Sequence, residues 1–295
     1  MSWLLDPLQF EFMRTAISIG VLLGILCSVV GSFMLVRQMG MLGDAISHSV
    51  LAGLPVAYVL GLPLSVGAVV AGVLSALMLA WIESQSKLKI DTVMALVLSS
   101  FLAIGVTLVS VLPGADRIDL IHILFGNILG VNRSELILTA AIAISIPIVT
   151  VLFYKELLLY SLDPIGAQAA GLPVQWYYAG TITAITLTVV ASLQTVGILL
   201  VIAMLVGPAM TAYLLVKELH EMMLGGAIVG AIASVAGMYA SYYLDIPSGA
   251  AIVLVVFSLF FLAFLFSPSQ GLLTQPGSRQ RALKLLQGLA IWTNR

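Results

Sequence analysis

The sequence predicts an all-α membrane protein, a polytopic bundle of about nine transmembrane helices with one short helix outside the bilayer, and three observations carry that prediction. Hydrophobic residues make up 61% of the 295 and charged ones only 8%. Mean hydropathy is +1.16, which a water-soluble domain of this length does not reach. Uncharged intervals recur at the length of about 20 residues that a bilayer core demands of a helix. The spans fall near 15–36, 41–60, 63–82, 92–112, 135–153, 175–193, 196–216, 222–243 and 248–266. The interval 164–216 is too long for one helix, and the polar Ser192-Leu193-Gln194-Thr195 is its expected turn. Eight spans is the alternative count. Residues 1–266 read as a single transmembrane domain and 267–295 as a basic tail.

Charge placement orients the bundle. Nine spans put the termini on opposite sides, and with the N-terminus outside, the inner side holds Arg37, Lys87, Lys89, Lys155, Lys217, Arg279, Arg281, Lys284 and Arg295. The outer side then holds only Arg14, Arg117 and Arg133. The positive-inside rule therefore predicts a multi-pass protein of the cell inner (plasma) membrane with a cytoplasmic C-terminal tail. A net charge of −1 speaks against nucleic-acid binding and against a polybasic membrane-surface role. The first residues carry Asp6 and Glu11 but no basic region, so the first span is expected to stay rather than be cleaved as a signal peptide. The lone Cys27 cannot form an internal disulfide and reads as packing.

Small residues recur at spacing four, Gly20 and Gly24 in the first span and Gly226, Gly230 and Ser234 in the eighth, which lets helix backbones approach closely in lipid. Gly207-Pro208 removes a backbone hydrogen bond inside the seventh span and predicts a kink. Between the fifth and sixth spans, residues 161–173 carry both ends of a short helix on the basic side. Asp163 suits the N-cap, Pro164 the first helical position, Gly171 the left-handed C′ position, and Pro173 prevents continuation. Gly166, Ala167, Ala169 and Ala170 would let a partner surface come close, and a plain connector on the bilayer surface is the alternative.

Asp44 and His48 are the one acid and the one imidazole embedded within the spans. Four residues apart on a helix they share a face, where a carboxylate oxygen and an imidazole nitrogen meet one divalent cation. An Asp at a helix centre costs roughly 2.5–3.5 kcal/mol on insertion scales, which asks for a compensating role. Two ligands fall short of a full shell, so a second copy of the pair, or backbone carbonyls, Ser47 and water, are expected to complete it. A weak shell suits passage, because an ion held too tightly cannot leave. The alternative pairs Asp44 with Arg37 and gives His48 a structural hydrogen bond. Other polar residues read as structural: His122 in the outer segment near Asp116 and Asp119, Asp91 as an N-cap, and His220 with Glu221 in a solvated loop beside Lys217 and Glu218. Leu224 stands where a zinc-protease helix would need a second histidine after His220.

Four segments resemble, in order, the membrane subunits of ATP-binding cassette importers for manganese, zinc or iron. They are Met41-Leu42-Gly43-Asp44-Ala45-Ile46-Ser47-His48-Ser49-Val50, Ile90-Asp91-Thr92, Asp119-Leu120-Ile121-His122-Ile123-Leu124-Phe125-Gly126-Asn127-Ile128-Leu129, and the run from Gln194 through Gly207-Pro208 to Leu214. The resemblance covers roughly residues 12–267. It implies a permease dimer that receives metal from an extracytoplasmic metal-binding protein and is driven by cytoplasmic ATPase subunits. It also places Asp44 and His48 on the metal path and makes the helix of Asp163, Pro164, Gly166 and Gly171 the coupling helix that docks in the ATPase. The Ala45-Ile46-Ser47-His48 form is closer to manganese-type members than to zinc importers. No permanently bound cofactor is implied, only a transported divalent metal: manganese, alternatively zinc or iron.

Two rivals remain at this stage. An intramembrane aspartyl protease needs two carboxylates sharing a proton, and no second acid lies well within a span, Asp245 standing at an outer end. A gradient-driven secondary metal transporter shares the absence of any G-x-x-x-x-G-K-[ST] phosphate loop, which makes the chain a transport subunit rather than an enzyme. The capped helix and the four segments favour the ATP-driven importer.

Overall fold

The structure is a computed structural model that describes residues 6–86, 88–113, 128, 133–267 and 271. After a 3₁₀ turn at Pro7–Gln9 the chain runs through α1 (Glu11–Val36), α2 (Leu42–Val59), α3 (Leu64–Gln85), α4 (Ile90–Val111), α5 (Arg133–Leu152), α6 (Tyr154–Leu162), α7 (Pro164–Ala169), α8 (Val174–Val196), α9 (Ile198–Leu215), α10 (Leu219–Leu244) and α11 (Ser248–Phe266). Among the described residues nine helices, all but α6 and α7, are long and apolar enough to cross a membrane. Each overlaps one predicted span. His122, with Asp116 and Asp119, lies outside the described residues, as do Lys87, Arg117 and the basic residues of the tail.

Ser and Thr side chains are tolerated in these apolar helices because their own turn satisfies them. Ser28, Ser32, Ser47, Ser49 and Thr186 each donate to the carbonyl four residues back at 2.6–2.8 Å. Cys27 is fully buried with Sγ 3.9 Å from Ser192 Oγ, a packing residue as expected.

The helix ends follow local backbone chemistry. Gln38 (φ 57°) and Gly61 (φ 66°) take the left-handed position after α1 and α2. The Met39 amide reaches back to Met34 O at 2.8 Å, and the Leu62 amide to Ala57 O at 2.9 Å, so orphan carbonyls are covered at both ends. The break between the sixth and seventh spans is at Gly197 (φ 79°, ψ 165°), not at 192–195. Thr195 bonds to Ser192 O within the helix, and Gly197 adopts the backbone that side chains resist. Asp91 is likewise not an N-cap: Lys89 holds that position, no side chain caps the helix, and Asp91 adds its charge to the favourable end of the dipole in the first turn. His220 and Glu221 are helical, in the first turn of α10, where exposed His220 pairs with Glu218 at 3.2 Å. Through Gly207-Pro208, α9 continues as one helix.

The small-residue seam forms between α1 and α10, the most extensively packed pair. A Cβ on Gly24 would stand 2.7 Å from the Gly230 carbonyl carbon, and one on Gly20 would stand 3.0 Å from Ser234 Cβ. Ser234 Oγ donates across the seam to Gly20 O at 2.8 Å. Backbone replaces side chain at this contact, so close dispersion and one interhelical hydrogen bond do the holding that apolar burial does in water. Gly24→Ala forces the helices apart and is expected to cost about 1–3 kcal/mol, read as a lower unfolding midpoint in detergent. Gly180→Ala, inside α8 with nothing within 4 Å of the added carbon, is the matched control and leaves the midpoint at or above wild type.

Candidate metal centre

α2 is short, and its N-terminal turn carries the acid. Residues 37–41 form turns between α1 and α2, and Gly40 lies in them while Gly43 is already helical. Asp44 is the third residue of α2, about 3 Å from its start at 1.5 Å per residue, and His48 lies one turn further in, about 9 Å from the start. There the unpaired amides of the first turn favour a carboxylate, which lowers the cost of placing one in the bundle.

His48 Nε2 lies 3.2 Å from Asp44 Oδ1. The His48 side chain is 26% exposed and the Asp44 side chain 30%, while their neighbours Ala45, Ile46, Ser47 and Ser49 are buried. The pair therefore stands on a half-open face of α2, whose other faces at that level are in the core. His48 Nδ1 is buried without a hydrogen-bond partner among the described residues. No structural hydrogen bond through that nitrogen holds the ring. Arg37 does not pair with Asp44 either: its guanidinium lies 4.5 Å from the centre of the Tyr160 ring. The Arg37 half of the structural alternative thus lacks its contact, and the one partner of His48 is Asp44 itself. Ser47 is turned into the core and donates to Gly43 O at 2.7 Å, so it does not face the pair. Among the described residues no third His, Cys, Asp or Glu joins Asp44 and His48.

The short helix α7 has the predicted ends. Asp163 Oδ1 accepts from the Gly166 amide at 2.9 Å, and Pro164 opens the helix. Gly171 (φ 83°) takes the left-handed position, with the Leu172 amide closing on Ala167 O at 3.0 Å. Gly166 is needed at this cap, because an added Cβ would collide with the Asp163 carboxylate. α7 presents an apolar exterior: Ile165 is 81% exposed and Trp176, just beyond the helix, is 78% exposed, whereas Ala167 is fully buried against the bundle. Of the small residues, Ala169 and Ala170 are exposed.

α6 was not foreseen. It separates from α5 at Phe153 (φ −105°, ψ 26°) and packs its Tyr160, 1% exposed, into the end of the bundle. Tyr178, at the start of α8, donates to Glu83 at 2.6 Å in the same region. The aromatic run Trp176-Tyr177-Tyr178 at a span's end was the available signal for this cluster, since such rings settle at interfaces. Val36, Tyr154, Val216 and Leu219 meet around one apolar cluster, so α7, Asp44, Arg37, Lys155 and Lys217 share one end of the bundle, with Arg14 at the other end of α1.

Nine membrane-length helices among the described residues, with a partly exposed acid–imidazole pair toward one end of a span and a capped helix at that same end, define a multi-pass membrane protein. Residues 9–267 match the family described as the ABC 3 transport family, and the chain belongs to that family. It is 42% identical to the "Manganese transport system membrane protein MntC" of Halalkalibacterium halodurans over 94% of this chain and 95% of that protein. It is 40% identical to the "Probable iron transport system membrane protein" of Haemophilus influenzae over 92% and 96%. A chain of the solved structure "PsaBC from Streptococcus pneumoniae in complex with Fab" matches with a TM-score of 0.80 and 38% identity, covering 90% of this chain and 96% of that one.

Proposed function

We propose that the chain is the permease subunit of an ATP-driven importer that moves a divalent transition metal, manganese in preference, into the cytoplasm. The observation that carries the reading is the Asp44–His48 pair, 3.2 Å apart and partly exposed on a stretch of α2 whose adjoining residues Ala45, Ile46, Ser47 and Ser49 are buried. Several relatives of about 40% identity are named for manganese transport, and these support the choice of metal.

One carboxylate and one imidazole are too few for manganese, which takes about six ligands with oxygen well represented. A second copy related by a two-fold axis doubles the set to two carboxylates and two imidazoles, and water fills the rest. In this reading the permease works as a dimer in the plasma membrane, with its N-terminus outside and its basic tail in the cytoplasm. Metal arrives from an extracytoplasmic binding protein. α7, with Ile165 exposed and Asp163, Pro164, Gly166 and Gly171 fixing its ends, docks on cytoplasmic ATP-binding cassette subunits, which supply the energy.

A second reading, an iron importer, is favoured by the iron name of one relative at 40% identity. Competition uptake in vesicles holding the permease, its ATPase and its binding protein separates the two. Manganese is expected to displace labelled manganese at lower concentration than iron or zinc does. Preferential displacement by iron would select the second reading, and no ATP-dependent uptake of any of the three would remove both.

A further inference from the structure

The end of the bundle that carries α7 also holds a cluster of side chains that the metal pair does not use. Arg37, at the C-cap of α1, lies over the Tyr160 ring of α6, and its Nη1 donates to the Tyr160 carbonyl at a long 3.5 Å. Tyr160 stacks on Tyr177 of α8 with ring centres 6.3 Å apart. Glu83, in the last turn of α3, accepts from Tyr178. Four helices therefore meet around one cation and one carboxylate.

Two donors at this meeting point are unspent. Arg37 Nε and the Tyr160 hydroxyl are buried without hydrogen-bond partners among the described residues. A guanidinium held by a ring face and one long bond is far from its best partner, a carboxylate that accepts two parallel bonds. Such a carboxylate is near. Glu83 is held by Tyr178, the residue after the Tyr177 ring on which Tyr160 stacks. The cluster is half-made: Arg37 and Glu83 belong to it and form no ion pair.

The place of Arg37 gives that unused pairing a consequence. Backbone bonds tie the five residues from Arg37 to both helices, to α1 through Gln38 N to Leu35 O at 3.0 Å and Met39 N to Met34 O at 2.8 Å, and to α2 through Leu42 N to Met39 O at 2.9 Å and Ala45 N to Met41 O at 3.0 Å. A shift of Arg37 is passed to the first turn of α2, where Asp44 stands. On the other side, Tyr160 lies three residues before Asp163, the cap of α7.

We propose that Arg37 and Tyr160 are positioning residues of a two-state joint between α7 and the metal pair. In the state described, Arg37 rests on the Tyr160 ring. When α7 is displaced, Arg37 and the Tyr160 hydroxyl turn to Glu83 and the start of α2 moves with them. The joint rests on the reading of α7 as the helix that docks on an ATPase.

Tyr160→Phe tests it, because the hydroxyl it removes makes no hydrogen bond in the state described. A merely structural role predicts a neutral or stabilising change, since a buried, unpartnered group is deleted. The joint predicts an unfolding midpoint of the purified permease–ATPase complex at or above wild type, with ATP-driven manganese uptake in vesicles reduced roughly tenfold, the weight of one bond to a charged group. Glu83→Gln is expected to slow uptake as well, and the double variant to be no slower than the slower single one. Wild-type uptake by Tyr160→Phe, or losses that multiply in the double variant, would overturn the joint while leaving the importer standing. Failure of the wild-type assembly to carry manganese would instead overturn the importer reading, and the joint with it.

Discussion

Asp44→Asn and His48→Ala are each expected to lower ATP-driven manganese uptake by roughly 100-fold, because removing a ligand costs at least as much as removing the support behind one. Asparagine keeps the size of aspartate and one oxygen but loses the charge that replaces part of the ion's hydration. Alanine at 48 leaves one ligand per chain. Neither change should disturb the fold: both side chains are about a quarter to a third exposed, and the contact they make is with each other. Asp44 favours the helix start only modestly, by about 0.3–1 kcal/mol as an acid near a helix N-terminus. Assembly with the ATPase and the unfolding midpoint should therefore stay near wild type while uptake is lost. The two losses should also fail to multiply in a double variant, since a site missing one ligand has little left to lose. Near-normal uptake by either single variant would remove the pair from the metal path.

Ile165→Asp should release the ATPase. The side chain is 81% exposed in the chain described, so the fold does not need it, and it is open to a partner surface. Buried in a partner's groove, such an anchor is worth about 2 kcal/mol or more, roughly 30-fold in affinity. A charge placed there adds the cost of desolvation. Copurification of the ATPase with the permease is the measurement. Ala167→Leu is a contrasting variant: Ala167 is fully buried against the bundle, so its enlargement should strain the chain itself before it alters the partner's face. An Ile165→Asp permease that retains its ATPase with wild-type affinity would show that α7 docks by another face or not at all.

Much of this architecture was legible because membrane helices write their length and their ends into local sequence. The nine spans followed from uncharged intervals, and the ends of α7 from Asp163, Pro164 and Gly171. The seam of Gly20, Gly24, Gly230 and Ser234 followed from spacing, although the sequence alone did not say that these faces meet each other. The misplaced turn between the sixth and seventh spans has a physical cause. Ser192 and Thr195 look like loop residues, but a hydroxyl that bonds to its own helix can stay inside a span, and Gly197 is the residue whose backbone breaks it. Asp91 and His220 were misread by one or two positions, the usual slack at a helix start. Arg37 could not have been read. Its partner Tyr160 is 123 residues away and belongs to a helix, α6, that the charge pattern of residues 153–163 does not mark as separate from its neighbours.

The candidate site was legible to the level of two residue types four apart, and no further. Spacing put Asp44 and His48 on one face, and the structure brings them to 3.2 Å. In the proposed reading the remaining ligands come from a second copy and water, and one chain's sequence does not encode an assembly in any local pattern.

Anomalous diffraction at the manganese edge, from crystals of the permease–ATPase complex grown with manganese, tests the metal path most directly. The account predicts an anomalous peak within coordination distance of the Asp44 carboxylate and the His48 imidazole, absent from the His48→Ala complex. A manganese peak elsewhere in the bundle, with the pair empty or turned toward lipid, would contradict it.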